Sequence, residues 1–165
     1  MADPLVGIVV GSSSDVHVVE EAADMLKEFG VPHELRVISA HRSPNVAEEY
    51  ARTAAERGVE VIVAAAGKAA HLAGVMASLT TLPVIGLPIK TDDLGGLDSL
   101  LSTVQMPPGV PVATVAINGA RNAAILATQI VALKHEEYRP RLARLKHKLA
   151  AGVAEKDSEY RREAE

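Results

Sequence analysis

The 165 residues carry 17 Lys plus Arg against 21 Asp plus Glu, a formal charge of −4, so no net positive field draws the chain to nucleic acid or an anionic membrane. Cysteine is absent, which excludes disulfides and thiolate chemistry, and the six histidines show no close metal-type pairing. This length suits one domain with its own core, and the scarcity of large aromatics beside abundant Ala and Val points to close layers and to oligomerisation.

In chain order, Asp3 and Pro4 precede a short apolar run, the wrong shape for a secretory leader, so a cytoplasmic protein is expected. Leu5–Val10 reads as a strand, and GSSSD at 11–15 forms the loop before a helix over Val16–Phe29 that Gly30 caps. In that loop Gly11 lets backbone approach a ligand, Ser12 and Ser14 offer hydroxyls to phosphate oxygens, and Asp15 can accept from a sugar hydroxyl. Ser14 or Asp15 reads equally as a plain helix N-cap. The next strand, His33–Ile38, leads into SAHRSP at 39–44, where Ser39 and Arg42 can hold an anion and His41 can titrate near neutral pH. The plainer reading is a surface His and Arg before a helix over Asn45–Arg57, which Pro44 starts and Gly58 ends.

Val59–Ala65 reads as a buried strand, far short of the roughly 20 residues that span a bilayer. AAGKAAHLAG at 65–74 follows it, and its small residues expose backbone amides to a carboxylate or a planar ring. Gly67, Ala70 and Leu72 are taken there as substrate-lining, and His71 is a second proton-handling candidate that also reads as a helix-start histidine. A helix over Ala69–Leu79, a strand at Pro83–Leu87, a helix over Gly96–Val104, a strand at Val112–Ile117 and a helix over Arg121–Leu133 complete the alternation. The Leu face of Gly96–Val104 is free to bury itself in a neighbouring subunit.

Continuously apolar strands alternating with helices predict an α/β chain, a three-layer αβα sandwich on a parallel sheet spanning residues 1–134. Residues 135–165 read as a helical tail that packs on the same or a neighbouring subunit, with Leu142, Leu145 and Leu149 at helical spacing. Pro140 and Gly152 are expected to interrupt or end that tail, and its last dozen residues to fray.

Taken together, GSSSD, SAHRSP, AAGKAAHLAG, LPVIGLPI, GLDSLLSTVQMPPGVPVATVAI and NAAILA at 122–127 closely resemble the N5-carboxyaminoimidazole ribonucleotide mutases, the bacterial-type class of the PurE family, over about residues 5–133. The resemblance implies a flavodoxin-like fold, an octamer with sites at subunit contacts, and neither metal nor organic cofactor. It also implies transfer of a carboxylate from the exocyclic amine of the aminoimidazole nucleotide to ring carbon C4. His41 falls on the position that carries the proton, and Ser12, Asp15 and Arg42 fall on substrate-binding positions. The family pattern commonly has Gly where this chain has Lys68 and Pro where it has Ala73. Lys68 then either strains a positive-φ position while staying mostly solvated, which is preferred, or touches the migrating carboxylate. The rivals are direct carboxylation by carbon dioxide, whose class resembles AGRSN at the third loop without its histidine, a non-catalytic nucleotide-binding module, and a structural oligomer.

Overall fold

Apolar runs and amphipathic segments fold as β1 (Val6–Val10), α1 (Val16–Phe29), β2 (His33–Val37), α2 (Pro44–Thr53), β3 (Val61–Gly67), α3 (Leu72–Leu79), β4 (Val84–Ile89), α4 (Leu97–Val104), β5 (Ala113–Thr114), α5 (Ala120–Val131) and α6 (Arg139–Glu163). The structure, a computed structural model, describes residues 3–163. All five strands run parallel in the order β2-β1-β3-β4-β5, with Val6 level with both His33 and Val61. The expected αβα sandwich on a parallel sheet is therefore present.

Successive side chains of a strand face opposite ways, and here both ways are apolar. Val6, Ile8 and Val10 of β1 join Val61, Val63 and Ala65 of β3 in a core covered by α1 and α5. Val9, Ile62 and Ala64 point into the other core, covered by α2 and α3. Ala120, Ala123, Ala124 and Ala127 have no exposed surface, so their short side chains let α5 lie close against α1. Gly30 ends α1 at φ 64, and Val31 N–H closes the cap on Leu26 O at 2.9 Å.

Several boundaries differ from the sequence reading for local reasons. β3 and β4 run two residues farther toward the ligand end than expected, because Ala66 and Gly67 still pair with Pro88 and Ile89. Helix α2 stops at Thr53, and tighter turns carry the chain to Gly58 at φ 92. The strand expected over Val112–Ile117 ladders only at Ala113–Thr114. Gly86 O and Pro88 O accept from Val115 N and Asn118 N on that side, and Pro88 has no N–H to return. Helix α3 begins at Leu72 rather than Ala69, since Lys68 at φ 54 turns the chain out of helical geometry.

The expected break of the tail is corrected. Helix α6 runs unbroken for 25 residues through Gly152. Pro140 occupies its first turn, where no helical N–H is needed, and one interior glycine costs only about 1 kcal/mol. Leu142 and Leu145 pack on the core of the same chain, and the Arg141 guanidinium donates to Phe29 O. Leu149, Val153 and Tyr160 are exposed. Of the last dozen residues, where fraying was expected, those through Glu163 continue the helix, and residues 164 and 165 lie outside the described ones. No helix among the described residues is long and apolar enough to cross a membrane.

Candidate active site

An open parallel sheet leaves a crevice where the loops leave the carboxyl ends of its strands. Here the loops after β1, β2, β3 and β4 enclose a cavity of about 400 Å³. Its walls include Ser12, Ser14 and Asp15 from the first loop, Ser39, His41 and Arg42 from the second, Gly67, Lys68, His71 and Leu72 from the third, and Thr91 from the fourth.

The first loop is organised by its own hydroxyls. Ser14 Oγ lies 2.9 Å from both Ser12 Oγ and Asp15 Oδ1, and its single proton can go to only one of them at a time. Asp15 makes no side-chain cap on α1, and the cap of the preceding 3-10 turn is Ser12, whose Oγ accepts from Ser14 N at 3.4 Å. Asp15 therefore does not act as a side-chain N-cap, and its carboxylate is held by Ser14 at the cavity wall.

Arg42 ties the second loop to the first. Its backbone N–H and Nε donate to Ser39 Oγ at 3.2 and 3.4 Å, and Nη2 donates to Gly11 O at 3.1 Å. Ser39 is itself held by Ser43, whose Oγ donates to Ser39 O at 2.9 Å. The guanidinium keeps further N–H groups for an anion, a fork that suits phosphate or carboxylate.

His41 Nε2 and His71 Nδ1 meet at 2.9 Å, their rings edge to face with centroids 5.1 Å apart. Thirty positions of sequence separate them, and only the pairing of β1 between β2 and β3 brings their loops together. One ring must donate and the other accept, so the bond carries one proton and either nitrogen can hold it. The remaining histidines of the body lie off the cavity. His17 Nδ1 is 2.9 Å from Ser14 O, His33 Nδ1 is 2.9 Å from Val31 O, and His135 Nε2 is 3.0 Å from Glu60 Oε1.

Of the substrate-lining candidates, Ser12, Ser14, Asp15, Ser39, Arg42, Gly67 and Leu72 share the cavity with His41 and His71. Ala70 does not line it. That residue is buried beneath the loop, where its carbonyl oxygen lies 3.5 Å from Thr103 Oγ1 of α4, a hydroxyl that donates to Ser99 O at 2.7 Å. Ala73 lies in the core between α3 and the sheet. Two participants escaped the sequence reading, Thr91 on the wall and Asp93 beside it, both in the loop after β4. Asp93 Oδ2 lies 2.5 Å from Lys68 Nζ, and this pairing lowers the Asp93 carboxyl and raises the Lys68 ammonium from their ordinary ranges. The one available signal was position, since that loop also follows a strand. Among the described residues no three His, Asp or Glu side chains converge as a metal site.

The chain matches the family model described as AIR carboxylase over residues 5–151. It is 60% identical over 153 residues to a Pyrococcus horikoshii protein named N5-carboxyaminoimidazole ribonucleotide mutase, covering 93% of this chain and 86% of that one. A Mycobacterium tuberculosis protein of the same name is 54% identical over 159 residues, 96% of this chain and 91% of its own. The crystal structure of Treponema denticola PurE superposes with a TM-score of 0.86 at 29% identity, over 94% of this chain and 98% of that chain.

Proposed function

This chain belongs to the AIR carboxylase family, and we propose that it is an isomerase of purine (IMP) biosynthesis, converting N5-carboxyaminoimidazole ribonucleotide to 4-carboxy-5-aminoimidazole ribonucleotide. The observation that carries this reading is the His41–His71 pair, joined at 2.9 Å on the wall of a cavity that also presents Arg42, Ser12 and Asp15. A binding module would need the anion-holding groups and not the histidine pair.

The isomerisation is balanced in protons, because the exocyclic nitrogen gains one and ring C4 loses one. Loss of the carbamate releases carbon dioxide beside aminoimidazole ribonucleotide while His41 supplies the proton to nitrogen. C4 then attacks the trapped carbon dioxide, and the C4 proton returns to His41, restoring it for the next turnover. Retaining carbon dioxide beside C4 replaces a bimolecular encounter with an effectively intramolecular one, for which effective molarities of about 10⁵ M or more are attainable. The bare Cα of Gly67 and the single methyl of Ala69 permit that closeness, and Arg42 with Ser12 and Ser39 holds the phosphate. His71 fixes the orientation of His41 and shares its proton. The chemistry calls on neither metal nor organic cofactor.

The exposed Leu97, Leu101 and Val104 on α4 support an assembly of several copies, and the family resemblance supports reading that assembly as an octamer that works in the cytoplasm. Offering the purified protein N5-carboxyaminoimidazole ribonucleotide without ATP, metal or bicarbonate tests the reaction class. Ring-carboxylated nucleotide should accumulate. Product that forms only from aminoimidazole ribonucleotide with added carbon dioxide would replace the mutase with a carboxylase, and no product from either would leave the binding module.

A further inference from the structure

We propose, resting on the mutase reading above, that Lys68 selects the carboxylated nucleotide by exchanging Asp93 for the substrate carboxylate, with Asp93 as the positioning residue that holds the ammonium until then. Lys68 directly follows β3, lines the cavity, and sits at φ 54, a conformation that suits glycine better than lysine. A long charged side chain kept at a strained position on a cavity wall points to a use for its charge.

The strand order states which end of a ligand that charge meets. Arg42 sits in the loop after β2 and Lys68 directly after β3, strands that lie two spacings apart, roughly 10 Å, with β1 between them; Arg42 reaches to Gly11 O after β1, and Lys68 to Asp93 after β4. A carboxylated ribonucleotide has anions at its two ends, the phosphate on the sugar and the carboxylate on the base. With Arg42, Ser12 and Ser39 on the phosphate, the base end lies toward β3 and β4. Thr91 Oγ1 stands at that same end, buried with no hydrogen-bond partner on a residue that lines the cavity. That hydroxyl has no open surface as it stands, so it can meet a ligand group only by turning into the cavity.

The local charges make Lys68 the condition for a second anion. Asp93 holds its ammonium at 2.5 Å, and Asp92 and Asp98 add to the negative field around it. Without the lysine these carboxylates would repel a carboxylated base. Both members of the pair are more than half exposed, at 68% and 59%, and an exposed ion pair is weak enough for an incoming carboxylate to displace Asp93.

The test compares two nucleotides that share the phosphate and differ in the carboxylate. Calorimetry with aminoimidazole ribonucleotide and with 4-carboxy-5-aminoimidazole ribonucleotide sets the wild-type affinities. Lys68→Gln should weaken the carboxylated ligand by about tenfold or more and leave the other within about twofold, as expected for one lost charged hydrogen bond. Lys68→Arg should restore the difference. Asp93→Asn should tighten the carboxylated ligand by about twofold or more, and the gain should vanish when Lys68→Gln is added. Equal losses for both ligands would place Lys68 on the phosphate or in the fold and overturn the proposal, as would unchanged affinity for both. A thermal melt of each variant separates a folding defect from either result. A wild-type protein that binds neither nucleotide would sink the mutase reading itself, and the proposal with it.

Discussion

His41 and His71 divide one hydrogen-bonded proton between two loops, and the chemistry proposed here needs that proton to move. Asparagine at 41 can still meet His71 but cannot carry a proton at neutral pH. His41→Asn should therefore keep its melting temperature and nucleotide affinity while turnover falls by about 10²-fold or more, and wild-type turnover in the purified variant would remove His41 from the mechanism. Arg42 has a double task, since the same guanidinium that faces the cavity also fastens Gly11 O at 3.1 Å. A lysine cannot divide its single ammonium that way, so Arg42→Lys should lose about 1.5–3 kcal/mol of nucleotide affinity in a titration. These residues were legible in the sequence because each stands in a loop that follows a strand. Thr91 and Asp93 were not, because KTDD carries no Gly–Ser or His–Arg signature and acquires its meaning only from β4 lying beside β3. The contact between His41 and His71 was equally invisible, since nothing local in either loop encodes a partner thirty positions away.

Elements were readable where one cause dominates. Helix α1 falls on its expected residues, because its apolar period, its loop and its glycine cap agree. Boundaries slipped where two causes compete, as at β5, where a β-rich run meets a neighbour whose Pro88 cannot donate, and at α6, where a helical pattern outlasts one glycine. A similar hidden dependence explains Gly7, which sequence reads as an unremarkable strand position. Tyr50 of α2 lies across β1, and a Cβ on Gly7 would come 2.1 Å from the phenol oxygen. That hydroxyl cannot easily move aside, because it donates to Glu34 Oε1 at 2.9 Å while Arg57 donates to the same oxygen at 2.7 Å and covers the ring at 4.8 Å. Burial, and then the charge of Glu34, push the Tyr50 phenol above its ordinary range, so it stays protonated as the donor. Gly7→Ala should accordingly destabilise by about 1–3 kcal/mol through overpacking. Denaturant unfolding would show it, and an unchanged midpoint would mean that the α2 layer yields freely.

At the scale of the whole molecule, the start of β3 is joined to the segment after α5 by one carboxylate, since Glu60 Oε1 accepts from Lys134 Nζ at 2.6 Å and from His135 Nε2 at 3.0 Å. Burial opposes ionisation of Glu60, but the hydrogen bonds from Lys134 and His135 outweigh it and hold the carboxyl below its ordinary value of 4.5. A depressed carboxyl contributes stability above its unfolded value and loses it as pH falls through the folded one. The stability advantage of the wild type over Glu60→Gln should thus be complete near neutral pH and shrink as pH drops below about 4.5, and a gap independent of pH would contradict the linkage. The other molecular question is what covers α4. Leu97, Leu101 and Val104 recur at helical spacing with 54%, 48% and 44% of their surface exposed, and Leu94 beside them is 65% exposed. A monomer would leave this contiguous face in water, at roughly 25 cal/mol for every Å² that a partner could bury. The same helix packs behind the cavity region, with Thr103 Oγ1 3.5 Å from Ala70 O, so a partner seated on α4 also steadies the loop that carries His71. Leu101→Glu places a charge at the centre of that face without touching the cavity. The expected outcome is a drop in mass by light scattering at micromolar concentration together with lower turnover, while circular dichroism stays native. Unchanged mass in the variant would move the interface elsewhere, and a wild type that is already monomeric would remove the assembly altogether.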